Sequence, residues 1–221
     1  MTLEATLVGL RERAIRVLRA NDAGRWTQAA RGLYPHQWSW DAAIIAIGLC
    51  HVDARRAMLE LDSLFAAQWS NGKVPHIVFD PLAEPGAYFP DAERWGCSEA
   101  AEAPRAPVRT SGLCQPPVHA LAVHRLWQVH GPPGAPSSPK VRAFVRRMFP
   151  RLLRWHRYLA GARDPEGSGL VTIYHPWESG ADNSPRWDDA MAAIAVGDLP
   201  PYERSDLRHV GDASQRPTSA H

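Results

Sequence analysis

The sequence predicts an all-α chain with long loops and short strand pieces. Apolar residues recur at intervals of three and four over several long segments, which is the helical period. Strand-like sequence is confined to two short runs, within 71–79 and 170–174. The helical segments are separated by unusually long stretches loaded with aromatic and polar residues, and such loops on a helical frame usually carry function.

Six helices follow in order. The first places Leu3, Leu7, Leu10, Ala14, Val17 and Leu18 on one stripe, with Thr2 as its candidate N-cap and "NDAG" at Asn21 to Gly24 as its stop. A tryptophan-rich loop leads to a nearly all-apolar helix over Asp41 to His51, the pattern of a helix packed on several sides. Asp53 caps the third, with Met58, Leu61, Leu64, Phe65 and Trp69 inward. "SNGKVPHIVF" then reads as an Asn-Gly turn before a strand-like run, and Asp80 to Pro107 as an excursion loop. The fourth helix spans Pro117 to His130, with Val118, Leu121, Ala122, Arg125 and Leu126 on its periodic positions. "GPPGAPSSP" links it within one core to the longest helix, Lys140 to Ala162, striped by Val141, Phe144, Val145, Met148, Leu152, Trp155 and Leu159. Arg142, Arg146, Arg147, Arg151, Arg154 and Arg157 occupy the rest of that helix; a solvated or ion-paired face is favoured over a phosphate-binding one. "DPEGSGLVTIYHPWESGADNSP" reads as a turn, a short strand and a long loop before a sixth helix over Trp187 to Val196.

Composition bounds the function. The chain has 221 residues, enough for one domain that folds without disulfides or metal. Its three cysteines (Cys50, Cys97, Cys114) form no CxxC pair, which argues against a zinc ribbon and fits a reducing compartment. Net charge is +2, so no polyanion-binding field is implied, and no nucleic-acid partner is expected. The N-terminus, interrupted by Glu4, Arg11, Glu12 and Arg13, lacks the apolar region of a signal peptide. The longest apolar run, Ala42 to Cys50, is far short of the ~20 residues of a bilayer span. A cytoplasmic protein without a membrane partner is the expectation. HExxH, GxSxG, GxxxxGK[ST] and GxGxxG are absent and the ten histidines lack ligand spacing, so neither a metal nor a cofactor is expected.

The chemistry concentrates in two loops. "YPHQWSWD" (Tyr34 to Asp41) packs three aromatics, a histidine, a glutamine and a carboxylate together, and "HPWESGADNSPRWD" sets Glu178, Asp182, Asn183 and Asp188 among Trp177 and Trp187. Sugar rings present apolar C–H faces to aromatic rings and hydroxyl edges to Asp, Asn, Gln and His. Glycosidic cleavage needs two carboxyl groups, one protonated, and desolvation beside a tryptophan suits the acid. The competing reading makes the tryptophans core and the carboxylates, Asp41 and Asp188 among them, helix caps or structural pairs.

"LYPHQWSWDAAIIAIGL", "ELDSLFAAQWSNGKVPHIVF", "TSGLCQPPVHALAV" and "IYHPWESGADNSPRWDDAM" resemble, in that order, the mannosylglycerate/glucosylglycerate hydrolase group of the α-glucosidase I-like glycoside hydrolases. The resemblance runs from about Leu33 onward. It implies an (α/α)6 toroid, of which six of about twelve helices are counted here, and an inverting hydrolase of α-glycosides of small organic acids, active on a small-molecule sugar or glycosyl-acid substrate. By resemblance Asp182 matches the general acid. Tyr34, Trp38, Trp40, Asp41, Tyr88, Gln115, Trp177 and Asn183 fall in segments that line the sugar subsite, and Arg216 matches an arginine that faces the acid part of the aglycone. The group's base is a glutamate in the second half of the family's chain. Residues 1–221 are therefore expected to be the N-terminal half of the catalytic domain, lacking the base and inactive in isolation. Glu178, on the same loop as Asp182, is poorly placed to be that base. The alternative is a non-catalytic carbohydrate-binding or degenerate fragment.

Overall fold

A computed structural model describes residues 3–136 and 138–193. Seven α-helices lie among them, and the two strands are only two residues long: α1 Leu3–Ala20, β1 Gln37–Trp38, α2 Ser39–Leu49, α3 Ala54–Ala66, β2 Ile77–Val78, α4 Ala92–Trp95, α5 His119–His130, α6 Ser138–Ala162 and α7 Asp188–Ala192. The protein is mostly helical, as its periodicity predicts. None of these helices is long and apolar enough to cross a membrane.

The core is built by α2, α3, α5 and α6. Ala42, Ala43 and Ala46 of α2 let neighbouring helices approach closely, and Leu61, Leu64, Ala122, Leu126, Phe144, Met148 and Trp155 fill the space between them. Val141, Phe144, Met148, Leu152, Trp155 and Leu159 of the predicted α6 stripe are buried. Asp53 caps α3 as expected, its carboxylate accepting from Arg55 N (2.8 Å) and Arg56 N (3.2 Å). The arginine face of α6 is in part ion-paired: Arg147 meets Asp62 of α3 at 2.6 Å, and Arg154 donates to Gln68 at 2.9 Å.

Four expectations are corrected. The α1 stripe does not face inward, for Leu7, Leu10 and Val17 are exposed, and Leu18 is the residue of that stripe that packs on the core among the described ones. Leu121 is likewise exposed on α5, where Val123 is buried in its place. Trp69 lies beyond the end of α3 and is buried from a loop, its Nε1 donating to Thr110 Oγ1 (3.0 Å). The run 170–174 forms no strand, because its backbone is drawn to the end of α6 instead, where Thr172 N donates to Arg163 O (2.6 Å). The expected sixth helix over Trp187 to Val196 appears as α7, and residues beyond 193 lie outside the described ones.

The strands matter for what they position. β1 pairs antiparallel with β2, Trp38 opposite Ile77, and feeds without a break into α2. Gln37 anchors β1 to α3 by donating to Glu60 O (2.9 Å) and Glu60 Oε1 (3.1 Å). Burial pushes the Glu60 carboxyl up to about 7 even beside Arg56. On the other edge of β2, Ser111 N donates to Ile77 O (3.1 Å), and His76 N to Leu113 O (2.9 Å), so segment 110–115 runs alongside. The start of α2 is further held by His119 of α5, whose Nε2 lies 3.0 Å from Ser39 Oγ.

Candidate active site

The loops gather on the side of the bundle where β1 enters α2. Tyr34, Trp38 and Tyr88 meet edge to face there, with Trp38 centroid distances of 5.0 Å to Tyr34 and 5.0 Å to Tyr88, within the range of favourable aromatic pairs. His36 stacks on Trp38 at 5.8 Å and accepts from Asp80 N (3.1 Å) at Nδ1. Burial holds His36 neutral, with its pKa lowered to about 4. Trp38 itself is buried, so Tyr34 and Tyr88 present the ring surface of this cluster to solvent while Trp38 backs them.

A second group forms around the first turn of α2. Trp38, the N-cap residue, makes no side-chain cap bond; the N–H of Trp40 is satisfied from a distance by Gln115 Oε1 at 3.1 Å. That bond fixes the Gln115 side chain at the start of α2, beside Trp40. The 175–184 loop folds over the same place. Gly180 sits at φ +71°, and a Cβ there would lie 3.0 Å from both Trp40 Cη2 and Pro116 Cγ, so only glycine lets the loop lie down on this tryptophan.

Beyond Gly180 the chain turns tightly. Ser184 N donates to Ala181 O (3.1 Å), and Trp187 Nε1 donates to the same oxygen (2.8 Å), framing Asp182 and Asn183. Asp182 is exposed, yet neighbouring protein atoms desolvate part of its carboxyl, and the negative charge of Asp41 adds to the effect. Its pKa is pushed up to about 6. Asp41 is raised as well, chiefly by burial in the first turn of α2. The two carboxyl groups thus belong to one site.

Trp177 lies on a short 3-10 turn, Pro176–Ser179, started by His175, whose Nδ1 accepts from Trp177 N (3.2 Å). Its ring packs against His175 at 4.8 Å and His76 at 5.6 Å, and His76 in turn meets Trp95 at 6.4 Å. His76 is fully enclosed and kept neutral at about 3, by burial first and His175 second.

The structure therefore joins Tyr34, Trp38 and Tyr88 in one cluster, and Trp40, Asp41, Gln115 and Asp182 in another, while Trp177 is half-buried against His76 and His175. Asn183 is exposed beside Asp182, and Arg216 lies outside the described residues. Glu178 is not free to act as a base: it is enclosed and ion-paired with Arg163. The sequence reading counts His36 and Gln37 in the aromatic loop without a role of their own, and it misses His76 and Arg163. Buried polar residues next to aromatic loop motifs are the available signal, but their partners are remote in sequence.

A family model described as the mannosylglycerate hydrolase MGH1-like glycoside hydrolase domain matches residues 34–221. The glucosylglycerate hydrolase of Mycolicibacterium hassiacum is 49% identical over 210 residues, covering 95% of this chain and 46% of that protein. The mannosylglycerate hydrolase MGH1 of Selaginella moellendorffii is 47% identical over 205 residues, covering 93% of this chain and 39% of that protein. The crystal structure of the GH63 mannosylglycerate hydrolase from Thermus thermophilus, in complex with Tris and D-glycerate, superposes with a TM-score of 0.75 at 45% identity, covering 92% of this chain and 45% of that one. The chain spans less than half the length of these relatives.

Proposed function

The chain belongs to the mannosylglycerate hydrolase MGH1-like glycoside hydrolase family, and on that footing we propose that it supplies the sugar-binding wall and the general acid of an inverting α-glycoside hydrolase acting on glucosylglycerate or mannosylglycerate. The observation that carries this reading is Asp182: a carboxyl beside a second carboxylate, Asp41, with its pKa pushed up to about 6. An acid must hold its proton when the glycosidic oxygen arrives, and desolvation is what keeps it there.

Asp182 transfers its proton to the glycosidic oxygen as the anomeric C–O bond breaks. A water, activated by a base, attacks the anomeric carbon from the opposite face, its oxygen forming the new bond and its proton passing to the base. Inversion needs a separation of ~6.5–9.5 Å between the two carboxyl groups. The base comes from the part of the relatives' length that this chain does not span. The helices α1 to α7 are read as the N-terminal half of an (α/α)6 toroid, a reading supported by the superposition on the Thermus hydrolase. Tyr34, Tyr88, Trp40 and Trp177 offer ring faces to the sugar, Trp38 backs them, and Asp41, Gln115 and Asn183 take its hydroxyls. Arg216, outside the described residues, is assigned to the glycerate carboxylate by the family resemblance alone.

The test is hydrolysis of glucosylglycerate and mannosylglycerate by the chain alone and by the chain fused to the part of the Mycolicibacterium relative that it does not span. The fusion is expected to release the hexose, with the rate falling as pH rises through the pKa of Asp182, and Asp182→Asn to lose about 10²–10⁴ of it. Retention of the rate in Asp182→Asn removes the acid assignment. A second reading, a non-catalytic sugar-binding chain, needs only the aromatic cluster of Tyr34, Trp38 and Tyr88 and no acid. It predicts calorimetric binding of the same glycosides without turnover by the fusion.

A further inference from the structure

Glu178 is a buried carboxylate that the proposed chemistry does not use, and it is surrounded by donors. Arg163, just past the end of α6, forks onto it with Nη2 to Oε1 at 2.7 Å and Nη1 to Oε2 at 2.8 Å. Cys114 N donates to Oε1 (2.9 Å) and Tyr174 N to Oε2 (2.7 Å). A carboxylate accepting a bidentate guanidinium and two backbone N–H groups is close to saturated, with its orientation set in all directions.

The donors come from three segments, two of which carry residues of the sugar site. Cys114 precedes Gln115, the cap of Trp40. Tyr174 and Glu178 bracket Trp177. Glu178 itself begins the descent through Gly180 to Asp182. Arg163, from the third segment, adds Tyr158 Oη (3.3 Å) and Thr172 O (3.4 Å), and its guanidinium lies 4.4 Å from the Tyr174 ring centroid. The end of the longest helix is therefore tied to the Pro176–Ser179 turn, on the loop that leads through Gly180 to the acid.

We infer that the Glu178–Arg163 pair is a positioning device for Asp182, setting where the acid's carboxyl stands relative to Asp41 and Trp40. The inference rests on reading Asp182 as the acid, and it concerns geometry alone. The charged and titratable groups that face Glu178 are Arg163, Lys73, His175, Tyr158 and Cys114. The influence of Glu178 on Asp182 passes through the backbone of the loop that carries both.

The experiment is a titration of the Asp182 carboxyl carbon by NMR in the 221-residue chain, its signal assigned with Asp182→Asn. Turnover plays no part in it, so failure of the positioning role and failure of the hydrolase reading are told apart. In Glu178→Gln the Asp182 midpoint is expected to fall from about 6 toward the ordinary 3.8, by at least about one pH unit, as the turn drifts from Asp41 and Trp40. Arg163→Lys, which keeps the charge and loses the fork, is expected to shift it in the same direction by less. An unchanged midpoint in a folded Glu178→Gln protein overturns the inference. Should that variant not fold, amide exchange in the unaltered chain decides. Ser184 and Trp187 N–H are expected to share the protection of Tyr174 and Cys114 N–H within about threefold, as one opening unit. Independent, much faster opening of the acid turn overturns the inference equally.

Discussion

Glu178 and Asp182 stand on one loop, close together in the chain, and their surroundings are opposite. Around Glu178 the protein provides a guanidinium and two N–H donors; burial alone pushes the carboxyl up, but these partners overcome it and hold its pKa below the ordinary 4.5. Around Asp182 desolvation meets no such answer, and the neighbouring charge is Asp41, so the carboxyl rises to about 6. The same carboxyl group is stapled as an anion in one place and left with a raised pKa in the other, as the proposed proton donor requires. Gly180 separates the two surroundings by letting the chain pass flat over Trp40.

The contrast breaks most visibly at the staple. Glu178→Ala leaves Arg163 enclosed without a counter-charge, and the cost is expected to be about 3–5 kcal/mol, measured as a drop in the denaturant midpoint. Next comes Gly180→Ala. A Cβ at φ +71° and 3.0 Å from Trp40 is expected to cost about 2 kcal/mol and to move Trp40, read in tryptophan emission and thermal unfolding. Acid stability sharpens the contrast through its sign. A carboxyl held below its unfolded value of 4.5 contributes stability above that pH, and the contribution fades as pH falls through the lower folded value. Asp182, raised above its unfolded 3.8, works in reverse, its contribution fading as pH rises through about 6. Glu178→Gln should therefore lose part of the wild-type dependence below pH 4.5, whereas Asp182→Asn should change the dependence near pH 6. The smallest effect is expected for Asp182→Asn at neutral pH, a modest gain in stability from removing a charge that the fold disfavours, limited by the exposure of the side chain and read as an upward shift of the denaturant midpoint.

The scaffold was legible to different degrees for physical reasons. Helices α3, α5 and α6 follow from apolar residues at intervals of three and four, and Asp53 announces its own helix because a cap acts on N–H groups two and three residues away. The same periodicity misleads at α1, where Leu7, Leu10 and Val17 form a stripe that the described residues leave exposed. Amphipathicity states which face is apolar, not what covers it. The run 170–174 has β-branched and aromatic residues but no strand to pair with, and Thr172 bonds instead to Arg163.

By itself the sequence determined the helical class, the main helix boundaries, and the two loops in which aromatics and carboxylates collect, since these depend on local period, capping and composition. Tertiary structure alone decided which carboxyl is held below its ordinary pKa and which is raised above it. That choice turns on partners from Arg163 and Cys114 for Glu178, and on Asp41 for Asp182, and a pKa is set by distance and solvent, neither of which is a property of neighbours in the chain.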